Sequence, residues 1–321
     1  MKDGGFPPLP APELQFAAQA AIEARNTAKP LEASASLEEL RAGFAVPLAI
    51  SGRNAVEVLR ELVDVATPGI VGSTDPGFMA WVVGGSQPAG VAADWLTSSW
   101  GQNAGLFQTS PAAAVAEETV AKWLVDLLEL PAQSSVGFTT GATMAAFTCL
   151  AAARLAVLSC AGYDLEEHGL IGAPDMRIVI AEDSHVTNYS ALRYLGFGKA
   201  QIARVPSTSE GIYDMESFAE TLASLKGMPT IVIGQAGHIM SGAFDDLGQL
   251  GHLCREHGAW LHVDGAFGLW SRSSARYCNL AAGAELADSW SVDGHKWLQL
   301  PYDSGFAIVR DPEWHRAAMR M

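Results

Sequence analysis

The sequence is poor in cysteine and short of basic residues. Its four cysteines, Cys149, Cys160, Cys254 and Cys278, include no CxxC pair. Their spacing therefore encodes neither a disulfide framework nor a zinc site, and buried, reduced thiols in a cytoplasmic protein are expected. Lys and Arg number 20 against 35 Asp and Glu, a net charge of −15. Phosphate backbones are bound by basic patches, so this balance argues against nucleic acid as a partner. No uncharged run is apolar throughout the roughly 18 residues of a membrane span. The opening segment, MKDGGFPPLPAPELQ, also lacks the apolar stretch of a signal peptide. The most apolar long segment, residues 142–161, contains Arg154 and reads as a buried helix. Neither a GxGxxG turn nor a Gly-Lys-Ser/Thr phosphate loop is present, which argues against a nicotinamide dehydrogenase.

What is present suits a folded chain with a sizeable core. Of 321 residues, 49% are hydrophobic and 17% are charged, enough for one large domain with an appended arm or for two modest domains. Residues 1–12, rich in Pro and Gly, predict an extended lead-in. Helices are expected at 13–28 and 53–66, the second stopped by Pro68-Gly69. This first quarter reads as a helical arm that packs on another body, such as a second subunit. From Ser110-Pro111, a cap followed by a first-turn proline, a helix should run to Leu130. SSVGFTT then reads as a strand and 143–159 as a helix. The strands MRIVIAE, QIARVP, PTIVIG and AWLHVD follow, with helices between them at 187–195, 214–225 and 246–257. Two more strands, DSWSVD and SGFAIV, come last. Short apolar strands alternating with helices predict an α/β fold with a mixed, mainly parallel sheet. Ligands sit at the carboxyl ends of such strands.

Several residues with chemical potential fall there. Lys296 lies in SWSVDGHKWLQLPYDSGFAIV, between two strands and among apolar and aromatic neighbours. A desolvated lysine has an available lone pair, which suits covalent chemistry with a carbonyl; an isolated lysine more often snorkels to solvent. Asp264 ends AWLHVD before Gly265 and Ala266, small residues against which a planar ring could lie. A turn aspartate is the ordinary alternative. Gly141-Ala142-Thr143 joins a strand to a helix, so its amides and hydroxyl could cradle a phosphate. His185 follows MRIVIAE and could stack on a planar group or simply cap the next helix. His295 adjoins Lys296. His238 also follows a strand and is a candidate to touch the site. His252 and His257 miss the i, i+4 zinc spacing, and His262, inside a strand, reads as a core residue or one paired with a neighbour.

The order of these elements is more specific than any one of them. Strand–Gly-Ala-Thr–helix, then SH, then HVDGA, then DGHKW, with 32 residues from Asp264 to Lys296, resembles the group II amino-acid decarboxylases. These depend on pyridoxal 5′-phosphate (PLP) and include the aromatic-L-amino-acid and glutamate decarboxylases. The resemblance runs from about Pro76 to Arg310. It implies the large domain of aspartate aminotransferase fold type I, with helices on both faces of the sheet, over residues 76–321, and an N-terminal helical arm over 1–75. It also implies that Lys296 carries PLP as a Schiff base, that Asp264 pairs with the pyridine nitrogen and that His185 stacks on the ring. Ala266 would touch the opposite face, and Ala142, Thr143 and His295 would hold the phosphate. The segment GFMAWVVGGSQPAGVAADWL is similar to the family's substrate entrance.

Two departures matter. Gly237-His238-Ile239 stands where many members have Gly-Thr-Thr, and the QAG before GAFD is closer to a subgroup. The sequence stops at Met321, before the family's mobile loop with its catalytic Tyr and before the smaller C-terminal domain. The expected activity is decarboxylation of an L-amino acid to its amine by a homodimer. Another lyase or aldehyde-synthase outcome, or a silent PLP-binding chain, remains open.

Overall fold

The computed structural model describes residues 11–320, so the lead-in expected over 1–12 falls almost wholly outside the described residues. The chain divides into two compact units between Val83 and Gly84.

The first unit contains helices α1 (Pro12–Asn26), α2 (Leu37–Phe44) and α3 (Ala55–Ala66). Helices α1 and α2 both pack on α3. Capping chemistry explains where α2 and α3 begin. The Ser36 hydroxyl accepts from the Glu39 amide while the Glu39 carboxylate accepts from the Ser36 amide, and Asn54 accepts from the Glu57 amide. The Ser-x-x-Glu signal of α2 was readable in the sequence, yet no helix was expected there. None of the three helices buries a side chain fully.

The second unit begins with α4 (Pro88–Trp100) and α5 (Pro111–Leu127). It continues through β1 (Ser135–Thr139), α6 (Ala142–Cys160), α7 (Leu165–His168), β2 (Arg177–Ala181), α8 (Val186–Tyr194) and β3 (Ile202–Val205). Then come α9 (Met215–Ser224), β4 (Thr230–Gln235), α10 (Leu247–His257), β5 (Trp260–Asp264), β6 (Ser289–Asp293), β7 (Gly305–Val309) and α11 (Pro312–Met319). Every strand expected from the sequence is present. Helices α4, α7 and α11 were not expected.

Helix α5 corrects two expectations. It stops at Leu127 rather than Leu130, because Glu129 takes a left-handed φ of 49°. The buried Arg272 guanidinium then donates to the freed Leu128 and Glu129 carbonyls, at 2.6 and 3.2 Å. Nor does the Ser110 side chain cap α5, since its hydroxyl is buried without a partner.

The strands form one sheet in the order β1-β7-β6-β5-β4-β2-β3. Pairing is parallel from β3 through β6, and only β7 runs against its neighbours β6 and β1. Side chains alternate between two cores, as a pleated sheet with two covered faces requires. Ile178, Ile180, Ile231 and Ile233 meet α6 and α8 on one face. Val179, Ala181, Val232 and Val263 meet α5, α9 and α10 on the other. Helix α6 is the apolar segment read as a buried helix. It is long and apolar enough to cross a membrane by composition, but Ala145, Cys149, Leu150, Ala152, Ala153 and Leu158 are fully or almost fully buried under the sheet. Of the cysteines, Cys149 and Cys254 are buried, but Cys160 is exposed and Cys278 half-buried, against the expectation that all four would be buried.

Candidate active site

The strand register builds a site at the carboxyl edge of the sheet. Thr139 at the end of β1 and Asp293 at the end of β6 both pair with Gly305, the first residue of the antiparallel β7. In the next two positions across the sheet, Asp264 pairs with Ser291 and Gln235 pairs with Asp264. The ends of four strands thus deliver their last side chains to one line. Gly305 allows the β1–α6 turn to close over this line, since a Cβ there would lie 2.4 Å from the Gly141 Cα.

A cleft of about 350 Å³ opens on this edge. Ala142, Thr143, His185, Asp264, Ala266, His295 and Lys296 all line it, so the structure brings together the seven residues singled out in the sequence. Gly237, Ile239 and Phe267 complete the apolar part of the wall. Gly237 has a φ of 95°, and a Cβ on it would sit 2.8 Å from the Phe267 ring, so backbone conformation and space both require glycine.

Asp293 was not singled out in the sequence, and it is the hub of one side of the cleft. Its buried carboxylate accepts the Ala142 amide at 2.5 Å through Oδ1. The same carboxylate faces the Lys296 Nζ at 3.1 Å through Oδ2, and the His295 Nε2 lies 3.5 Å away. The first-turn amides of a helix have no intrahelical acceptor and attract anions, and Asp293 takes the first of them. Lys296 also differs from its expected apolar setting. Its ammonium is ion-paired and 5.9 Å from the Phe267 ring centroid, while the following Trp297 is exposed. On the far side of His295, Nδ1 accepts the Ser304 amide at 3.2 Å, which leaves the proton on Nε2, facing the cleft.

Asp264 anchors the opposite side. It is 6% exposed, and its two oxygens accept from different donors: Oδ1 from the Ala266 amide at 3.1 Å and Oδ2 from the Asn188 Nδ2 at 2.8 Å. Asn188 is the second residue that the sequence reading missed. His185 takes the capping reading, and its ring also lines the cleft where stacking was expected. Its Nδ1 caps α8 by accepting the Thr187 amide, its own amide donates to the Gln235 Oε1, and its ring lines the cleft.

The remaining histidines separate from the site. His238 lines a neighbouring depression with Glu210 and Ser241 instead of this cleft. His262 is buried behind Asp264, between Ser289 at 2.9 Å and Ser291 at 3.3 Å, as a paired core residue. Burial pushes its pKa down to about 4, opposed in part by the Asp264 charge, so it is neutral at ordinary pH. The His257 ring bonds the Leu253 carbonyl. Among the described residues no cluster suited to a metal ion is found.

The geometry fits a planar cationic ring carrying an anionic arm. A buried carboxylate stands at one end; a helix N-terminus, an imidazole and the Asp293 carboxylate stand at the other; and a primary amine beside the Phe267 ring completes the wall.

Comparison with known proteins points the same way. The pyridoxal-dependent decarboxylase conserved domain matches residues 38–321. The chain is 29% identical over 296 residues to an aromatic-L-amino-acid decarboxylase of Bacillus atrophaeus, covering 91% of this chain and 59% of that protein. It is 30% identical over 281 residues to an L-2,4-diaminobutyrate decarboxylase of Rhizobium meliloti, covering 86% and 52%. It therefore spans little more than half the length of these curated relatives. Among solved structures, the glutamate decarboxylase domain of diaminobutyrate-pyruvate transaminase and L-2,4-diaminobutyrate decarboxylase from Vibrio parahaemolyticus is similar in fold. It has a TM-score of 0.89 at 24% identity and covers 96% of this chain and 68% of that one.

Proposed function

Because the chain belongs to the pyridoxal-dependent decarboxylase family, we propose that it binds PLP in the cleft and contributes this site to the decarboxylation of an L-amino acid. One observation carries the reading: Lys296, Asp264, His185 and the start of α6 converge on a single cleft at the carboxyl edge of the sheet. When bound, PLP supplies an aldehyde that condenses with amines and a pyridinium ring that accepts the electron pair left when carbon dioxide departs.

The protein's own groups supply binding, orientation and proton placement. Lys296 offers its Nζ as the covalent anchor, and Asp293 holds that amine in place. Asp264 presents a carboxylate that would keep a proton on a ring nitrogen. Thr143 and the α6 amides, with the His295 Nε2–H, would receive the phosphate. His185, fixed by its bond to Thr187 and by its cap on α8, would lie on the ring face. Phe267 and Ile239 give the wall an apolar surface beside these polar groups.

The test is to supply the purified chain with PLP and candidate aromatic, acidic and basic L-amino acids, and to follow both carbon dioxide and the organic product. Release of carbon dioxide with a matching amine is the expected result. An aldehyde product would replace decarboxylation with aldehyde synthesis. PLP binding without turnover of any amino acid would leave a silent binding chain.

Asp293 makes a second expectation specific to this site. A carboxylate on the first amide of α6 competes with a phosphate for that amide and repels its charge. Asp293→Asn keeps an oxygen for Ala142 and removes the charge. PLP should then bind about fivefold more tightly, the size of a roughly 1 kcal/mol repulsion between partly hydrated charges. Fluorescence titration with PLP measures this. Weaker binding in the variant would mean that Asp293 serves the cofactor, through Lys296, more than it opposes it.

A further inference from the structure

Asn188 sits in the first turn of α8 and is 0% exposed. Its Nδ2 donates to the Asp264 Oδ2 at 2.8 Å and to the Ser184 Oγ at 3.2 Å. Its Oδ1 is buried and has no hydrogen-bond partner. The amide cannot be turned over, because that would aim Oδ1 at a carboxylate oxygen. An unpaired buried carbonyl is unfavourable, and an apolar side chain of the same size would avoid it. Packing alone therefore does not account for an amide here; the bond it donates to Asp264 does.

We propose that Asn188 is a positioning residue of the cofactor site, acting through Asp264 to fix the carboxylate that faces the cofactor's ring nitrogen. The inference rests on the PLP reading above. An N–H donated to a carboxylate favours its charged form. With Asn188 on Oδ2 and the Ala266 amide on Oδ1, the carboxylate is held at both oxygens and its plane is set. The charge is not neutralised from behind, because the neighbouring His262, seated between Ser289 and Ser291, is fully buried and its pKa is pushed down to about 4. The carboxylate is thereby held in one place to accept an N–H from the ring. Asn188 also lies one turn from His185, the cap of α8. The same helix start thus holds two parts of the site: the imidazole in the cleft and the acid at its end.

The experiment compares wild type with Asn188→Leu. Leucine is close to asparagine in size and removes both the donor and the unpaired oxygen. The melting temperature of the cofactor-free protein should fall modestly, because the buried Asp264 Oδ2 loses its donor. PLP affinity should fall about tenfold, as expected on losing a hydrogen bond to a charged group, and the absorption maximum of the bound cofactor should shift. Borohydride should still trap the adduct on Lys296. Unchanged affinity and absorption would overturn the proposal, as would a lower melting temperature with unchanged affinity, which marks a packing residue. If the leucine variant does not fold, Asn188→Asp replaces it. That change sets a second carboxyl against Asp264, and PLP should again bind at least about tenfold more weakly, because two carboxyls in contact cannot both be charged; unchanged affinity would again overturn the role. A wild-type protein with no trapped adduct on Lys296 would remove the PLP reading and this inference with it. A wild-type adduct with a leucine variant identical to wild type would remove the inference alone.

Discussion

Lys296→Ala is expected to abolish the covalent pyridoxyl adduct. After incubation with PLP and borohydride, peptide mass spectrometry should find the modified lysine at position 296 in the wild type and no modified residue in the cleft of the variant. The reason is local. Among the residues lining the cleft, Lys296 is the one with a primary amine, and Asp293 holds it 3.1 Å away at the junction of β6 and the following turn. Some PLP should still bind without a covalent bond, because the α6 amides, His295 and Asp264 are untouched. Loss of the Schiff-base absorption band with retained weak binding is therefore the signature. An adduct of wild-type yield on another lysine would place the anchor elsewhere.

Asp264→Ala should separate binding from turnover. The groups proposed for the phosphate and for the covalent anchor lie on α6 and the segment after β6, whereas Asp264 ends β5. Borohydride should thus still trap an adduct on Lys296. Turnover should fall by about a hundredfold or more, the scale of losing one preorganised electrostatic partner in a water-poor site. The variant also leaves the buried Asn188 Nδ2 with only Ser184, so some stability should be lost as well. Measuring kcat, adduct yield and melting temperature on the same sample distinguishes the two effects. Turnover equal to wild type would remove Asp264 from the electron-sink role.

Much of the architecture was legible because strand runs such as RIVIA and TIVIGQ are apolar at nearly every position, as strands buried on both faces must be. The rule that ligands sit at strand carboxyl ends then selected Asp264, His185 and the Gly141 turn. Asp293 stayed hidden although it lies three residues before Lys296, because its importance depends on Ala142, a partner far away in the chain that the sheet register brings beside it. Asn188 stayed hidden for a related reason. An asparagine in the first turn of a helix is ordinary in sequence, and only the hydrogen bond from the start of α8 to the end of β5 shows that it points at a carboxylate. Helix α4 was missed because PAGVAADWLTSSW offers small and polar residues in place of a clear apolar stripe. The end of α5 was misplaced because the groups that satisfy it come from Arg272, not from a local cap.

The placement of β7 also bears on how the protein reaches this state during synthesis. Within this sheet, β7, the latest of its strands in sequence, lies between β6 and β1, the earliest. Until residues 305–309 emerge from the ribosome, β1 has no partner and β6 is an open edge. Helix α6 then has only part of the surface it finally covers. Pairing so distant in sequence is slow to form and exposes apolar strands meanwhile. Gly305, which lets the Gly141 turn close, arrives at that same late moment. Affinity for the cofactor should thus appear only once β7 has inserted, and the nascent chain should need protection from aggregation until then.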